Sequence, residues 1–280
     1  MKTINVFAIL FAAVLLFACN PQNARQDATS IESLPPKVIG EEVTYSGDSL
    51  TMKGYLAYDE NATEQRPGIL VVHEWWGHNG YARKRAEMLA ELGYVALAVD
   101  MYGDGKQAEH PQDAGAFAGE VFSNIDGAKE RFASALETLV LNENVDAGRI
   151  GAIGYCFGGS VVLSMANAGF DLDAVAAFHS GVGLPIWPGE EGVDAQILVC
   201  NGADDPFISP ESVTMFRNKM DSAGANYTYI AYPGAVHSFT SEEADANSEK
   251  FDLPLRYDAA ADSASWEELQ ALFSAAFAGG

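Results

Sequence analysis

Gly151-Ala152-Ile153-Gly154-Tyr155-Cys156-Phe157-Gly158-Gly159-Ser160 decides how this chain is read. Arg149 to Ile153 reads as the end of a buried strand, and Val161 to Ala166 as a helix. Between them, Gly154, Gly158 and Gly159 surround one nucleophilic atom, the sulfur of Cys156. The spacing is that of a G-x-S-x-G nucleophile elbow with Cys in place of Ser. A nucleophile on so tight a strand-to-helix turn has strained dihedrals, and its neighbours must lack side chains for two backbones to pass closely. The turn also sets Cys156 at a helix N-terminus, where free N–H groups and the macrodipole favour a thiolate. The competing reading is a buried structural Cys in a Gly-rich turn.

Outward from the elbow, strands and helices alternate. Glu41 to Ser46 and Met52 to Tyr58 predict two strands joined at Ser46-Gly47-Asp48-Ser49. Arg66-Pro67 predicts a break, followed by a strand over Gly68 to His73 whose unbroken apolar run suits burial on both faces. Glu74 to Gly80 is a loop, Tyr81 to Leu92 a helix closed by Gly93, and Tyr94 to Val99 a strand. Asp100 to Gly119 predicts a long loop with a weak helix, and Ile125 to Leu141 a helix. After the elbow come a strand over Ala174 to Phe178 and a Gly/Pro-rich loop to Asp194. A strand over Ile197 to Cys200, a Pro-initiated helix over Pro210 to Ala223, a last strand over Tyr227 to Ala231 and a closing helix over Ser263 to Phe277 complete the pattern. The fold class is α/β, a mostly parallel central sheet with helices on both faces. Ligands in such sheets bind outside the carboxyl ends of the strands. The Glu74 loop, the elbow, the Asp204-Asp205 turn and the His237 turn all follow strands, so they should converge on one edge.

At 280 residues and 48% hydrophobic, the chain can bury a full core, and residues 41–280 read as one large domain. A formal charge of −23 argues against nucleic acid and against docking of the body on anionic lipid. Residues 1–18 read as a signal peptide: Lys2 precedes an apolar run from Ile4 to Phe17 that is short for a permanent span. Leu16-Phe17-Ala18-Cys19 resembles a bacterial lipobox, which implies cleavage before Cys19 and lipid on it. An ordinary secretory signal or an uncleaved anchor are the alternatives. Residues 19–40 read as a tether, and the lipid on Cys19 as the one membrane contact of an exported envelope protein. Cys200 lies in an apolar run, poorly placed for a disulfide with Cys156. No C-x-x-C or Cys/His spacing calls for a metal, and no cofactor is expected. A monomer is the simplest expectation, with the oligomeric state open.

A thiol needs a base to be reactive at neutral pH, and a carboxylate can fix the tautomer of that base. The order Cys156, Asp205, His237 is the nucleophile–acid–histidine order of α/β hydrolases. Gly202-x-x-Asp205-Pro206 matches their aspartate turn, with Asp204 as the alternative acid one residue earlier. His237 follows the last strand. His73 precedes the nucleophile and suits the oxyanion loop, His78 and His110 are expected in solvated loops, and His179 as a hydrogen-bonded wall of the cleft. The backbone N–H groups of Phe157 and Trp75 are the expected oxyanion donors. Glu74, between His73 and two tryptophans, is either a desolvated carboxylate of raised pKa or a plain surface acid.

His73-Glu74-Trp75-Trp76-Gly77, Asp100-Met101-Tyr102-Gly103, Gly154-Tyr155-Cys156-Phe157-Gly158-Gly159, Asp205 and His237-Ser238-Phe239 together resemble the dienelactone hydrolase family of α/β hydrolases, from about Val43 to Phe277. The resemblance implies an ester- or lactone-cleaving triad of Cys156, Asp205 and His237, with Glu74 as the glutamate that interacts with the thiol before substrate arrives. Dienelactone-cleaving members hold the substrate carboxylate with two arginines. This chain has Asp104 at one of those positions and Ser241, after Thr240, at the other, and so departs at both. The alternative to a hydrolase is a non-catalytic ligand-binding lipoprotein on the same fold. The lipid expectation is checked by Cys19→Ala in the full chain: in a bacterial host the variant should leave the membrane fraction for the soluble envelope fraction, and unchanged partition contradicts it.

Overall fold

The computed structural model describes residues 35–278. The expected signal peptide and the lipidated Cys19 lie outside the described residues. Eight strands make one sheet in the order β1-β2-β4-β3-β5-β6-β7-β8. They are β1 Val38–Gly47, β2 Leu50–Asp59, β3 Arg66–Val72, β4 Val95–Val99, β5 Val145–Tyr155, β6 Ala174–Phe178, β7 Gln196–Gly202 and β8 Tyr227–Tyr232. From β4 across to β8 every pairing is parallel. β2 runs antiparallel to both β1 and β4. The β1–β2 hairpin closes through Asp48 and Ser49, both at positive φ, the turn geometry that matches the right-handed twist of paired strands. Val38 to Gly40, expected in the tether, already belong to β1.

The helices are α1 Gly80–Glu91, α2 Pro111–Ser123, α3 Ile125–Val140, α4 Phe157–Asn167, α5 Pro210–Ser222, α6 Ala244–Phe251 and α7 Ala259–Ala276. Side chains alternate along a strand, so each central strand feeds two cores. Leu70, Val72, Leu97 and Val99 pack with Phe132 and Leu139 of α3 and Val161 and Val162 of α4. Ile69, Val71, Ala96 and Ala98 pack on the other face with Leu89 of α1 and Leu269 and Phe273 of α7. Every residue of α4 is buried, and its polar Ser160, Ser164 and Asn167 donate to the carbonyls of Gly181, Ser160 and Ile186.

Several boundaries differ from the sequence reading. Arg66-Pro67 does not break the chain: β3 begins at Arg66, and Pro67 sits where its register against β5 shifts, a bulge at which a missing N–H is tolerated. β5 begins at Val145, although Asp146 caps the Gly148 N–H within it as in a turn. The weak helix after Asp100 is a full one, α2, initiated by the His110 side chain and Pro111. α6 lies in a polar stretch read as having no element. α7 starts four residues early because the Asp258 carboxylate accepts from the N–H groups of Ala260 and Ala261.

The elbow fixes the register of α4 on the sheet. Cys156 has φ 53° and ψ −114°. A Cβ on Gly158 would stand 2.3 Å from the Val72 carbonyl oxygen, and one on Gly154 would stand 2.1 Å from that of Gly158. The first turn of α4 therefore rests directly on the end of β3, backbone on backbone. Gly158→Ala is expected to destabilise the fold by about 3 kcal/mol, the upper range for overpacking, because neither contact is a flexible side chain; urea denaturation checks this, and a change below about 1 kcal/mol would contradict the close approach.

Candidate active site

The loops leaving the carboxyl ends of β3, β5, β7 and β8 bring the expected residues together. Cys156 is held in the elbow by its own N–H, which donates to Phe178 O at 2.9 Å. After β7 the chain turns through Gly202, where a Cβ would meet the Ala235 carbonyl at 2.4 Å. That close approach brings the β7 and β8 loops into contact and sets Asp205 against His237. The His237 Nδ1–H donates to Asp205 Oδ2 at 2.8 Å, and Asp205 Oδ1 accepts from the Phe207 N–H at 2.9 Å. Both side chains are buried, whereas Asp204 is exposed. Burial on its own disfavours the charged imidazole, but the neighbouring Cys156 and the Asp205 carboxylate outweigh it and push His237 up to about 10.

Phe157 is the first residue of α4, so its N–H has no helical partner. Among the described residues, neither it nor the Trp75 N–H donates to a protein acceptor. Trp75 is fixed through its carbonyl, which accepts from Tyr102 Oη at 2.9 Å. His73 ties the same loops together: its Nδ1–H donates to Glu74 O at 2.5 Å and its Nε2 accepts from Met101 N at 3.2 Å. Its ring stacks on Phe157 at 5.6 Å. Burial holds His73 below the ordinary histidine range, so it stays neutral.

Glu74 is buried rather than a surface acid, and burial pushes its carboxyl up to about 7. Its hydrogen-bond partner is Ser238, whose Oγ donates to Oε1 at 3.1 Å. That bond ties Glu74 to the residue after His237. Nothing in the sequence beyond the His-Ser-Phe triplet pointed to Ser238. His78, expected in solvent, is buried, and that burial pushes it down to about 4. Its loop is covered because Gly77 pairs with Gln107 and Gln107 Nε2 donates to the His78 carbonyl. His110 is exposed and caps α2, and His179 is fully buried beside His237.

Neither position of the missing arginines is otherwise cationic. Asp104 is exposed at φ 56°, in a loop pinned by Asp100, whose carboxylate accepts the N–H groups of Lys53, Tyr102, Gly103 and Gly105 at 2.8–3.1 Å. Ser241 is buried and its N–H closes a turn onto Ser238 O. Cys200 is a buried free thiol pushed up to about 12 by that burial, and Cys156 is free too. Among the described residues, no three His, Cys, Asp or Glu side chains converge as a metal centre requires.

The strand order, the antiparallel β2 and the elbow define an α/β hydrolase. The sequence profile of the dienelactone hydrolase family matches residues 52–277, and the chain belongs to that family. It is 34% identical to the solved structure m3DLH, with a TM-score of 0.81 over 86% of this chain and 99% of that one. A dienelactone hydrolase-like promiscuous phosphotriesterase from metagenomic libraries is 31% identical, with a TM-score of 0.78 over 85% and 98% of the two chains. Protein usf of Aquifex pyrophilus is 28% identical over 211 residues, 73% of this chain and 89% of that protein. The chain is accordingly a hydrolase of the ester- and lactone-cleaving class.

Glu74 gives a stability test. Its folded value lies above its ordinary 4.5, so the native state holds the proton more tightly than the unfolded one. Stability therefore falls as pH rises from about 4.5 to about 7 and is flat above. Glu74→Gln removes that loss. It should exceed wild type by up to about 3 kcal/mol at pH 8 and match it near pH 4.5, read by chemical denaturation at both; equal stability at both would rule out a strained carboxylate.

Proposed function

We propose that the chain is a thiol-dependent esterase or lactonase with Cys156 as nucleophile. The observation that carries this reading is the sulfur on a strained elbow beside a buried His237–Asp205 pair, with two unpaired backbone N–H groups at the same sheet edge. Cys156 Sγ attacks the ester carbonyl carbon as its thiol proton passes to His237 Nε2, and the N–H groups of Phe157 and Trp75 bind the oxyanion as the carbon becomes tetrahedral. His237 gives its proton to the departing alkoxide, leaving an acyl thioester on Cys156. His237 then takes a proton from water as that water attacks the thioester. The C–S bond breaks, His237 returns that proton to sulfur, and the acid departs with the thiol restored. Asp205 accepts from Nδ1–H throughout, which orients the ring and keeps Nε2 toward the reaction. Glu74, able to exchange a proton near neutral pH, is the thiol-modulating group, acting through the Ser238 contact next to His237.

The substrate in this reading is an uncharged ester or lactone. No arginine stands at either family position, and the wall beside His237 is apolar: Phe207 is exposed with its ring 5.0 Å from that of His237. The reading places the enzyme in a bacterial envelope, exported and held by lipid on Cys19, on the strength of residues 1–20 alone.

Cys156→Ala should lower kcat/KM for p-nitrophenyl acetate by about 1,000-fold or more, as should His237→Ala, the usual scale for removing a member of such a triad. Wild type should prefer this neutral ester to one carrying a carboxylate on its acyl group by at least about tenfold, the loss expected from one unpaired buried charge. Full activity in Cys156→Ala removes the mechanism; equal rates on the two esters remove the substrate assignment.

A further inference from the structure

His179 is used by none of these steps, yet it is wholly buried against the histidine that is. It follows β6 directly at φ 38°, and its N–H donates to Cys200 O at 2.8 Å. Its ring meets that of His237 at 5.3 Å and 70°. Its Nε2 lies 2.7 Å from Thr240 Oγ1, which lies 2.5 Å from Tyr81 Oη, which accepts from Arg85 Nε at 3.2 Å. All four side chains are buried.

The order of donors along this chain follows from its far end. Arginine only donates and is always charged, so Tyr81 Oη must accept there. Among the described residues, the one other hydrogen-bond partner of Tyr81 Oη is Thr240 Oγ1, which must take the tyrosine's hydrogen. Thr240 then gives its own hydrogen to His179 Nε2. Reversing the order would leave the Tyr81 hydroxyl hydrogen buried without an acceptor, which folded proteins avoid. Nδ1 of His179 has no partner among the described residues, so it is an unpaired donor in the first order and an unpaired acceptor in the reverse; the first order leaves that one buried atom unsatisfied, whereas the reverse leaves it and the Tyr81 hydroxyl hydrogen.

Resting on the reading above, we infer that His179 is a positioning residue for His237, held as the neutral Nδ1–H tautomer by a one-way hydrogen-bond chain from Arg85 through Tyr81 and Thr240. Because Nε2 is already an acceptor, His179 cannot take up a second proton without breaking the chain. A second cation is thereby kept off the imidazolium that His237 becomes in each half-reaction. The same chain grips the His237 loop. Arg85 Nη2 also donates to the Thr240 carbonyl at 2.7 Å and to Asp262 Oδ1 at 2.7 Å, so Thr240 is held at both its hydroxyl and its backbone three residues beyond His237.

The test has two readouts. Imidazole nitrogen NMR on the uniformly labelled full chain should show His179 as the neutral Nδ1–H tautomer; an Nε2–H or doubly protonated ring overturns the assignment. With p-nitrophenyl acetate, Thr240→Val should lower kcat about tenfold or more while KM stays within about twofold, and Thr240→Ser, which keeps the hydroxyl, should restore most of kcat. Tyr81→Phe, one link upstream, should behave as Thr240→Val does if that variant does not fold. Cys156→Ala is the control. Turnover that depends on Cys156 but ignores the loss of the chain overturns the positioning role alone. Turnover that survives Cys156→Ala overturns the mechanism, and this role with it.

Discussion

Two backbones touch where the first turn of α4 meets the end of β3, and the rest of the site depends on that contact. With carbonyl oxygens 2.3 and 2.6 Å from where a Cβ of Gly158 would stand, the helix is seated directly on the strand end, and it cannot retreat without opening the core layer it shares with α3. Cys156 is consequently driven to φ 53°, a conformation that costs a non-glycine residue about 1–3 kcal/mol. That strain is borne by a helix buried along its whole length. The same contact sets the Phe157 N–H next to the β3 loop that carries Trp75. The proposed nucleophile and oxyanion donors are thus outcomes of one packing event, and neither can be moved independently of the other.

Charge around the sulfur is arranged by burial as much as by pairing. The chain as a whole carries −23, which works against any further negative charge. Close to the elbow, Cys156 and Asp205 favour the charged form of His237 against its burial, while His73 and His179 are held neutral by burial and by hydrogen bonds to their ring nitrogens. Glu74 is the one nearby carboxyl whose charge changes near neutrality, and burial is what puts it there. Three histidines in one region therefore do three different things, distinguished by what faces each ring nitrogen rather than by residue type.

Much of this was readable from the chain itself where the signal was local. β6 was bounded to the residue because a short apolar run lies between polar turns, and Asp205 was separated from Asp204 by the Gly202-to-Pro206 turn alone. What escaped was set by distant partners. Glu74 meets Ser238 across 164 residues, and His78 is buried because Gln107 covers its loop. α6 has few apolar residues to mark it; it is seated by Phe251, stacked on Trp76 at 5.8 Å. The start of β5 was hidden by Asp146 and Gly148, whose turn-like bond survives inside the strand. Periodicity reports the face a segment buries, and it is silent where one long-range contact decides the matter.

The departures from the family at Asp104 and Ser241 belong to this same logic. Asp104 sits at positive φ in a loop whose backbone is clamped by three of its own N–H bonds to the buried Asp100, which a fourth from Lys53 ties to β2, so its position is set by the frame and only its side chain is free to vary. Ser241 lies within the turn gripped on one side by Arg85 through Thr240 and on the other by Arg256 N and Asp258 N, which donate to the carbonyls of His237 and Phe239. In the proposed reading, a change of substrate charge is made by two side chains while the elbow, the His237 loop and the proposed oxyanion donors stay where the backbone contacts put them.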